Sequence, residues 1–273
     1  MTEAKVRSSS RLVQKGRIYS LDHVLEFGVP VFGFHGDFIY STFRRHRESL
    51  AFFGSTNRFG AMNARLQITD HTGTHIDALN HISKGSRLYN GHDANKIVGT
   101  FGTSKLGIDT TPPIFTRGVL LDMASYEGRD VLEPNHSISV SDIKGMLRKD
   151  RLRIEKGDAV LIATGWARLW MVDNGKFSET CPGINLEAGR WLAAQNVSIV
   201  GADTWNVEVT PAEKQGEFGP VHQHLITENG IRLIENMNLE ELRKDGVREF
   251  LFVCLPLRVK GGTGSPISPI AVV

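Results

Sequence analysis

Residues 71–81 hold three of the chain's ten histidines together with an aspartate, in the stretch Asp70-His71-Thr72-Gly73-Thr74-His75-Ile76-Asp77-Ala78-Leu79-Asn80-His81. The preceding residues, Ala64-Arg65-Leu66-Gln67-Ile68-Thr69, alternate apolar and polar side chains, the period of a half-buried strand. If that strand continues, residues of equal parity share a face, and His71, Gly73, His75 and Asp77 point the same way. Gly73, with no side chain, then leaves room for an ion between the flanking imidazoles. Imidazole nitrogens with one carboxylate oxygen suit a borderline divalent cation such as Zn²⁺ or Mn²⁺. Any one of these histidines alone reads as a surface side chain satisfied by water; the group on one strand face reads as a metal site. His81 keeps the parity but lies four residues beyond Asp77, beyond the reach of a simple strand argument. It stands as a fourth ligand, a group that orients a ligand, or a proton shuttle, since imidazole titrates near neutral pH.

Several elements are available to position these groups. Gly118–Leu121, Asp158–Ala163, Val197–Val200 and Phe250–Val253 are short apolar or β-branched runs beside turn residues, as buried strands are. Helices are expected over 142–148, with Ser141 as cap, and over 186–195 after Asn185. A third is expected from Leu239, where Asn238 and Glu241 have capping-box spacing. Strands outnumber helices and alternate with them unevenly, which predicts a strand-rich α/β domain without the rhythm of a doubly wound sheet. No G-x-G-x-x-G follows a strand and no G-x-x-x-x-G-K-[ST] occurs, so nucleotide-phosphate chemistry has no support.

Composition narrows the classes further. The 273 residues suffice for one large core, and the organisation expected is a polar extension over residues 1–15, frayed or draped over a neighbour, followed by one domain over 16–273. A formal net charge of +2 offers no electrostatic reason for a nucleic acid or an anionic membrane as partner. No apolar run approaches the roughly 18 residues of a membrane span, and the first twenty residues lack the apolar centre of a secretory signal. Cys181 and Cys254 do not make a disulfide framework and read as inert, so a cytoplasmic setting is expected.

The pattern H-x-G-T-H-x-D-x-x-x-H over His71–His81 resembles the signature of the metal-dependent cyclase-family hydrolases, which include kynurenine formamidase and isatin hydrolase. The resemblance continues through Gly201-Ala202-Asp203-Thr204-Trp205, Val221-His222-Gln223-His224, Gly230-Ile231, Glu235-Asn236-Met237 and Gly261-Gly262-Thr263-Gly264-Ser265-Pro266. It departs at Leu79, where the usual form has proline. What it implies is a compact α/β domain with a barrel-like sheet flanked by helices (a cyclase, or swivelling β/β/α-like, fold), assembled as a homodimer or homotetramer. It also implies metal binding by His71, His75 and Asp77, with His81 catalytic.

Within that family, kynurenine formamidases resemble H-x₁₁-E, with both residues helping to hold a second zinc. Counting back from Glu235 places Gln223 at the histidine position, as in isatin hydrolase-like members that use one manganese. An amide oxygen is a hard, neutral donor, acceptable to Mn²⁺ and poorer for Zn²⁺. His222 and His224 flank Gln223, so a slip of one residue restores a histidine ligand. Glu235, His224 and Asp203 are candidates for a second metal or for orienting ligands, and Asp203 for orienting a histidine. Trp205, Phe59 and His222 are candidates to line the substrate site; Trp166 and the pair Phe52-Phe53 are weaker ones, with core packing the alternative. Arg44-Arg45-His46-Arg47 reads as solvated surface or an oligomer contact. The expected function is a hydrolase of amide or lactone bonds in a cyclic or aryl small molecule, using one divalent cation, Mn²⁺ before Zn²⁺. The alternatives are a di-zinc arylformamidase acting on N-formylkynurenine and a non-catalytic, metal-stabilised binding protein.

Overall fold

The four buried strands expected from the short apolar runs all form, three of them within two residues and the first starting four residues earlier at Ile114, and join one mixed sheet of nine strands in the computed structural model, which describes residues 2–273. In chain order these strands are β1 (Ile18–Ser20), β2 (His75–Asp77), β3 (Ile114–Asp122), β4 (Ala159–Ala163), β5 (Ile199–Ala202), β6 (Arg232–Glu235), β7 (Glu249–Cys254), β8 (Gly264–Pro266) and β9 (Ile270–Val272). Across the sheet they run β1-β9-β7-β3-β4-β5-β6-β2-β8. The central four, β3 to β6, are parallel, and every outer pairing is antiparallel. The sheet curls into a half-barrel flanked by helices, the architecture expected.

The alternation of side chains divides the core in two. Val119, Leu121, Val160, Ile162, Val200 and Leu233 face one way, and Leu120, Leu161, Ile199, Ile234, Phe250 and Phe252 face the other. Both faces are covered, which is why β4 is apolar at every position and fully buried. The first face is closed by α2 (Val140–Lys149) and α3 (Leu186–Ala194) through Ile143, Met146, Ala188 and Leu192.

Asn185 caps α3 as expected, accepting from the Ala188 amide. The cap of α2 is Ser139, not Ser141: Ser139 and Asp142 exchange side-chain and backbone hydrogen bonds, and the helix begins two residues earlier. The helix Glu240–Lys244 starts from Leu239 without a side-chain cap; Asn238 only accepts from the Glu240 amide at 3.3 Å. The polar amino-terminal segment is not frayed. It forms α1 (Glu3–Ser10), which packs on β3 and anchors Lys5 to the fully buried carboxylate of Asp158. Among the described residues, no helix is long and apolar enough to cross a membrane.

One expectation fails in an instructive way. The alternating stretch before His71 does form a strand, Asn63–Gln67, but it is exposed throughout and pairs with Ile39–Arg44 in a separate two-stranded sheet. It does not run on into the histidines. The chain turns at residues 68–74, and β2 begins only at His75. Asp70 fixes the turn by accepting from the Thr263 amide, the Thr263 hydroxyl and the Gly264 amide. Gly73 takes φ +64°, and a Cβ there would sit 2.4 Å from Leu25 Cδ2. Its missing side chain therefore serves a left-handed turn and a tight packing contact, not space for an ion.

Candidate metal centre

Strand β2 lies between β6 and β8, and the ladder sets Glu235 opposite His75, with Pro266 and Gly264 opposite His75 and Asp77 on the other side. Directly opposed residues share a face. His75, Asp77 and Glu235 are thereby gathered on one surface, while Ile76 between them points into the opposite core. His71 reaches the same point from the turn. Its ring lies where a Cβ on Gly264 would come within 2.8 Å of Cε1, so glycine at 264 is what admits it. His222 arrives from the short helical turn Pro220–His222.

The hydrogen bonds decide which ring nitrogens are free. Thr263 spends its hydroxyl proton on Asp70 (2.6 Å), so His71 Nε2, 3.0 Å away, must donate to it, leaving His71 Nδ1 bare and 3.1 Å from Asp77 Oδ1. His75 Nδ1 donates to the Gly73 carbonyl at 2.8 Å, which leaves Nε2 facing Glu235 Oε2 at 3.3 Å and Asp77 Oδ1 at 3.7 Å. His222 Nδ1 meets Glu208 Oε1 at 2.6 Å, and its Nε2 faces Glu235 Oε1 at 3.0 Å. Glu208, itself buried, also accepts from the amides of Val221 and His222.

At the centre, both carboxylate oxygens of Asp77 and His71 Nδ1 are buried without a hydrogen-bond partner, and Asp77 is 1% exposed. A buried carboxylate without donors costs several kcal/mol, and a bare imidazole nitrogen facing it adds lone-pair repulsion. A divalent cation resolves both at once, so the residues present fit one. Two ligand sets overlap here, His71–Asp77–His81 and Asp77–His222–Glu235, the atoms of each lying within 4.8 Å of one another.

Charge is distributed accordingly. Burial alone would raise the Asp77 carboxyl, but the positive charge that the surrounding imidazoles carry when protonated, His81 first and then His71 and His75, holds it well below the usual range. Burial opposes the charged forms of His75 and His222 as well; their hydrogen bonds to Glu235, and for His222 to Glu208, outweigh it and raise both. His81 behaves differently. Burial pushes it down to about 4, against the pull of Asp77, so its imidazole is neutral at physiological pH. Its ring lies 4.0 Å from that of His71 and opens onto the cavity.

That cavity, about 580 Å³, has His71, His75, His81, His222 and Glu235 on one side and aromatic side chains on the other. Trp205 is among them, stacked on Phe32 at 4.9 Å with 10° between the rings. Phe59 is not: with Phe52 and Phe53 it forms an exposed cluster on the helix and two-stranded sheet around residues 39–67, its ring 5.0 Å from Phe53. Trp166 is fully buried in a core, donating to the Phe177 carbonyl. Leu79, where proline was expected, is buried in the main core.

Three further candidate residues are placed as follows. Gln223 borders the cavity and its Nε2 donates to the Ser83 carbonyl at 3.1 Å, while its neighbour His222 stands in the cluster with Asp77 and Glu235. A π-helix over Gln223–Glu228 follows directly on His222. His224 points away, to Glu228 at 2.7 Å. Asp203 orients no histidine: burial pushes its carboxyl up to about 6, and it accepts from the Thr164 amide and hydroxyl and the Gly165 amide. Sequence reasoning missed Glu208, Phe32 and His35, whose ring stacks on His71 at 4.9 Å. The one available signal for Glu208 was an acid flanked directly by Val207 and Val209.

The chain matches the model of the Cyclase family over residues 19–209. Cyclase-like protein 3 of Oryza sativa subsp. japonica is 24% identical over 214 residues, 78% of this chain, and the match spans 66% of that relative's length. A crystal structure of a novel cyclase superposes with a TM-score of 0.90 at 28% identity, covering 100% of this chain and 94% of the other. Isatin hydrolase A from Ralstonia solanacearum gives a TM-score of 0.72 at 20% identity, covering 100% of this chain and 98% of that one. Isatin hydrolase A from Labrenzia aggregata, bound to benzyl benzoate, gives 0.71 at 22% identity over 93% of each chain. At these identities the isatin hydrolases show a shared fold.

Proposed function

The chain belongs to the Cyclase family, and from that premise we propose that it is a metal-dependent hydrolase cleaving an amide or lactone bond in a cyclic or aryl substrate. The observation that carries this reading is the buried, donor-less carboxylate of Asp77 among His71, His75, His222 and Glu235, with a neutral His81 at the cavity edge. A divalent cation held by these residues supplies, when bound, acidification of water and polarisation of a carbonyl. The chain's own groups do the rest. His81 takes the proton from the attacking water and returns it to the leaving nitrogen or oxygen as the bond between that atom and the acyl carbon breaks. Thr263, the Gly73 carbonyl and Glu208 fix the tautomers of His71, His75 and His222 before substrate arrives. The stacked Phe32 and Trp205 offer an apolar face to a planar group.

The aryl substrate class draws support from the fold shared with isatin hydrolase A, one structure of which holds benzyl benzoate. The case for Mn²⁺ over Zn²⁺ rested on an amide donor at Gln223; imidazoles and carboxylates in its place fit either ion. The two ligand sets sharing Asp77 favour a second reading, a two-zinc arylformamidase. The proposal includes a small-molecule substrate and a homodimeric or homotetrameric assembly in the cytoplasm, expectations that rest on the family resemblance and, for the cytoplasm, on two cysteines that make no disulfide framework.

The test is elemental analysis of the purified protein followed by assays on isatin, N-formylkynurenine and a dienelactone. One ion per chain with hydrolysis of isatin or the lactone supports the first reading. Two zinc ions with turnover of N-formylkynurenine supports the second. No turnover of any of the three with metal restored overturns both in favour of a metal-stabilised binding protein.

A further inference from the structure

The helical turn that delivers His222 does not continue as an α-helix, and the π-helix that follows has a second partner besides the ligand cluster. Gln223 and Thr227, four residues apart on it, both end on the loop that carries His81. Gln223 Nε2 donates to the Ser83 carbonyl at 3.1 Å, and Thr227 Oγ1 donates to the Ile82 carbonyl at 2.8 Å. These are consecutive carbonyls, immediately after His81. On the other side, the His81 amide donates to the Ala78 carbonyl at 3.1 Å, and the Ala78 amide to the Thr263 carbonyl at 2.9 Å. Thr227 is buried and Gln223 half-buried, so both bonds are part-shielded from water. The Lys84–Glu228 ion pair at 2.7 Å links the same two segments, but it is exposed and contributes little.

The His81 imidazole, in contrast, lies against the His71 ring at 4.0 Å with the planes tilted by 31°, and no carboxylate among the described residues hydrogen-bonds it as Glu208 does His222. Its aim depends on where its backbone is pinned. π-Turns occur mostly as single-turn bulges at functional sites, and this one places two side-chain donors on that backbone.

We propose that Gln223 and Thr227 are positioning residues for His81: the π-helix clamps the 81–84 loop and sets the direction of the imidazole. The proposal rests on the reading of His81 as the group that moves the proton. The same π-helix follows directly on His222, so one element sets both a ligand and the base. Misplacing a reacting group by an ångström can cost two orders of magnitude, and the clamp works on that scale.

The experiment compares wild type with Gln223→Leu, Thr227→Val and the double variant, and with Thr227→Ser as the conservative control. Metal content, kcat, KM on whichever panel substrate is turned over, and amide hydrogen exchange in a peptide spanning residues 79–88 are measured. Each single variant is expected to lower kcat about tenfold and the pair about a hundredfold, with KM within about twofold. Metal content stays at the wild-type level, exchange at residues 81–84 speeds up, and Thr227→Ser restores both kcat and protection. Unchanged kcat or unchanged exchange in the double variant overturns the clamp, as does loss of metal in Gln223→Leu, which would make Gln223 a ligand. If wild type hydrolyses none of the panel, the hydrolase reading fails by itself, and the exchange comparison still decides whether the π-helix restrains the loop.

Discussion

The two sides of the cavity are built in opposite ways. On the metal side, His71, His75, Asp77, His222 and Glu235 are all buried, and three of them hang from paired strands whose register fixes who faces whom. On the aromatic side, Phe32 and Phe34 ride on a loop before the first long strand, and Phe34 and Phe218 are 87% and 72% exposed. Groups that must hold a charge in place are pinned by the ladder and by hydrogen bonds to their far nitrogens. Groups that meet a substrate sit on segments free to differ, as loops are. The division predicts that damage to the first side abolishes chemistry, whereas damage to the second shifts affinity.

Asp77→Ala should produce the largest effect, removing metal and turnover together, because Asp77 belongs to both ligand sets. An active, metal-loaded variant would break the comparison at its root. Next comes His81→Ala, expected to keep the metal but lose roughly a hundredfold or more in kcat, the scale of general acid–base catalysis. Loss of metal there would instead make His81 a ligand. Glu208→Gln keeps the shape but removes the charge opposite His222 Nδ1, and should weaken metal binding by about 10–100-fold, read by competition with a chelator.

Much of the metal side was legible in the chain. His71, His75, Asp77 and His81 stand close in sequence, and their chemistry announces itself whatever the local backbone does. The reason given for their convergence was wrong, since His71 arrives from a turn fixed by Asp70 and Thr263, a contact spanning 193 positions. Glu235 was visible as a candidate, but its place opposite His75 depends on an antiparallel register that no local pattern encodes. The placing of His222 beside Glu235 was invisible for a related reason: the π-helix that follows His222 leaves no mark in the residue types. On the aromatic side almost nothing was legible beyond Trp205. Phe32 lies in a loop without periodicity, and Phe59, chosen on residue type alone, went to an exposed cluster elsewhere.

That contrast sets the smaller effects. Trp205→Ala should raise KM about tenfold with kcat little changed, the cost of losing one stacked aromatic face, whereas Phe59→Ala should leave both alone. Equal effects from the two would undo the assignment of the wall. The smallest effect concerns His23, which stacks on Trp170 at 4.3 Å on the segment leading to that wall. Burial pushes His23 down to about 4 from 6.5, so it is neutral in the fold and takes up a proton on unfolding. Its contribution is complete above pH 6.5 and is lost as pH falls through 4. His23→Phe keeps the stacked ring and removes the titration, so over that window the variant should lose less stability than wild type, by up to about 3 kcal/mol. Denaturant melts at pH 7 and pH 4.5 measure it; parallel losses in both proteins would rule the His23 contribution out.

The central claim is that His222, not its neighbour Gln223, joins Asp77 and Glu235 in holding a cation. Elemental analysis of wild type, His222→Ala and Gln223→Ala after equal exposure to manganese and zinc addresses it directly. The account predicts that wild type and Gln223→Ala carry the same metal content while His222→Ala loses at least one ion. Full occupancy in His222→Ala, with loss in Gln223→Ala, would contradict it.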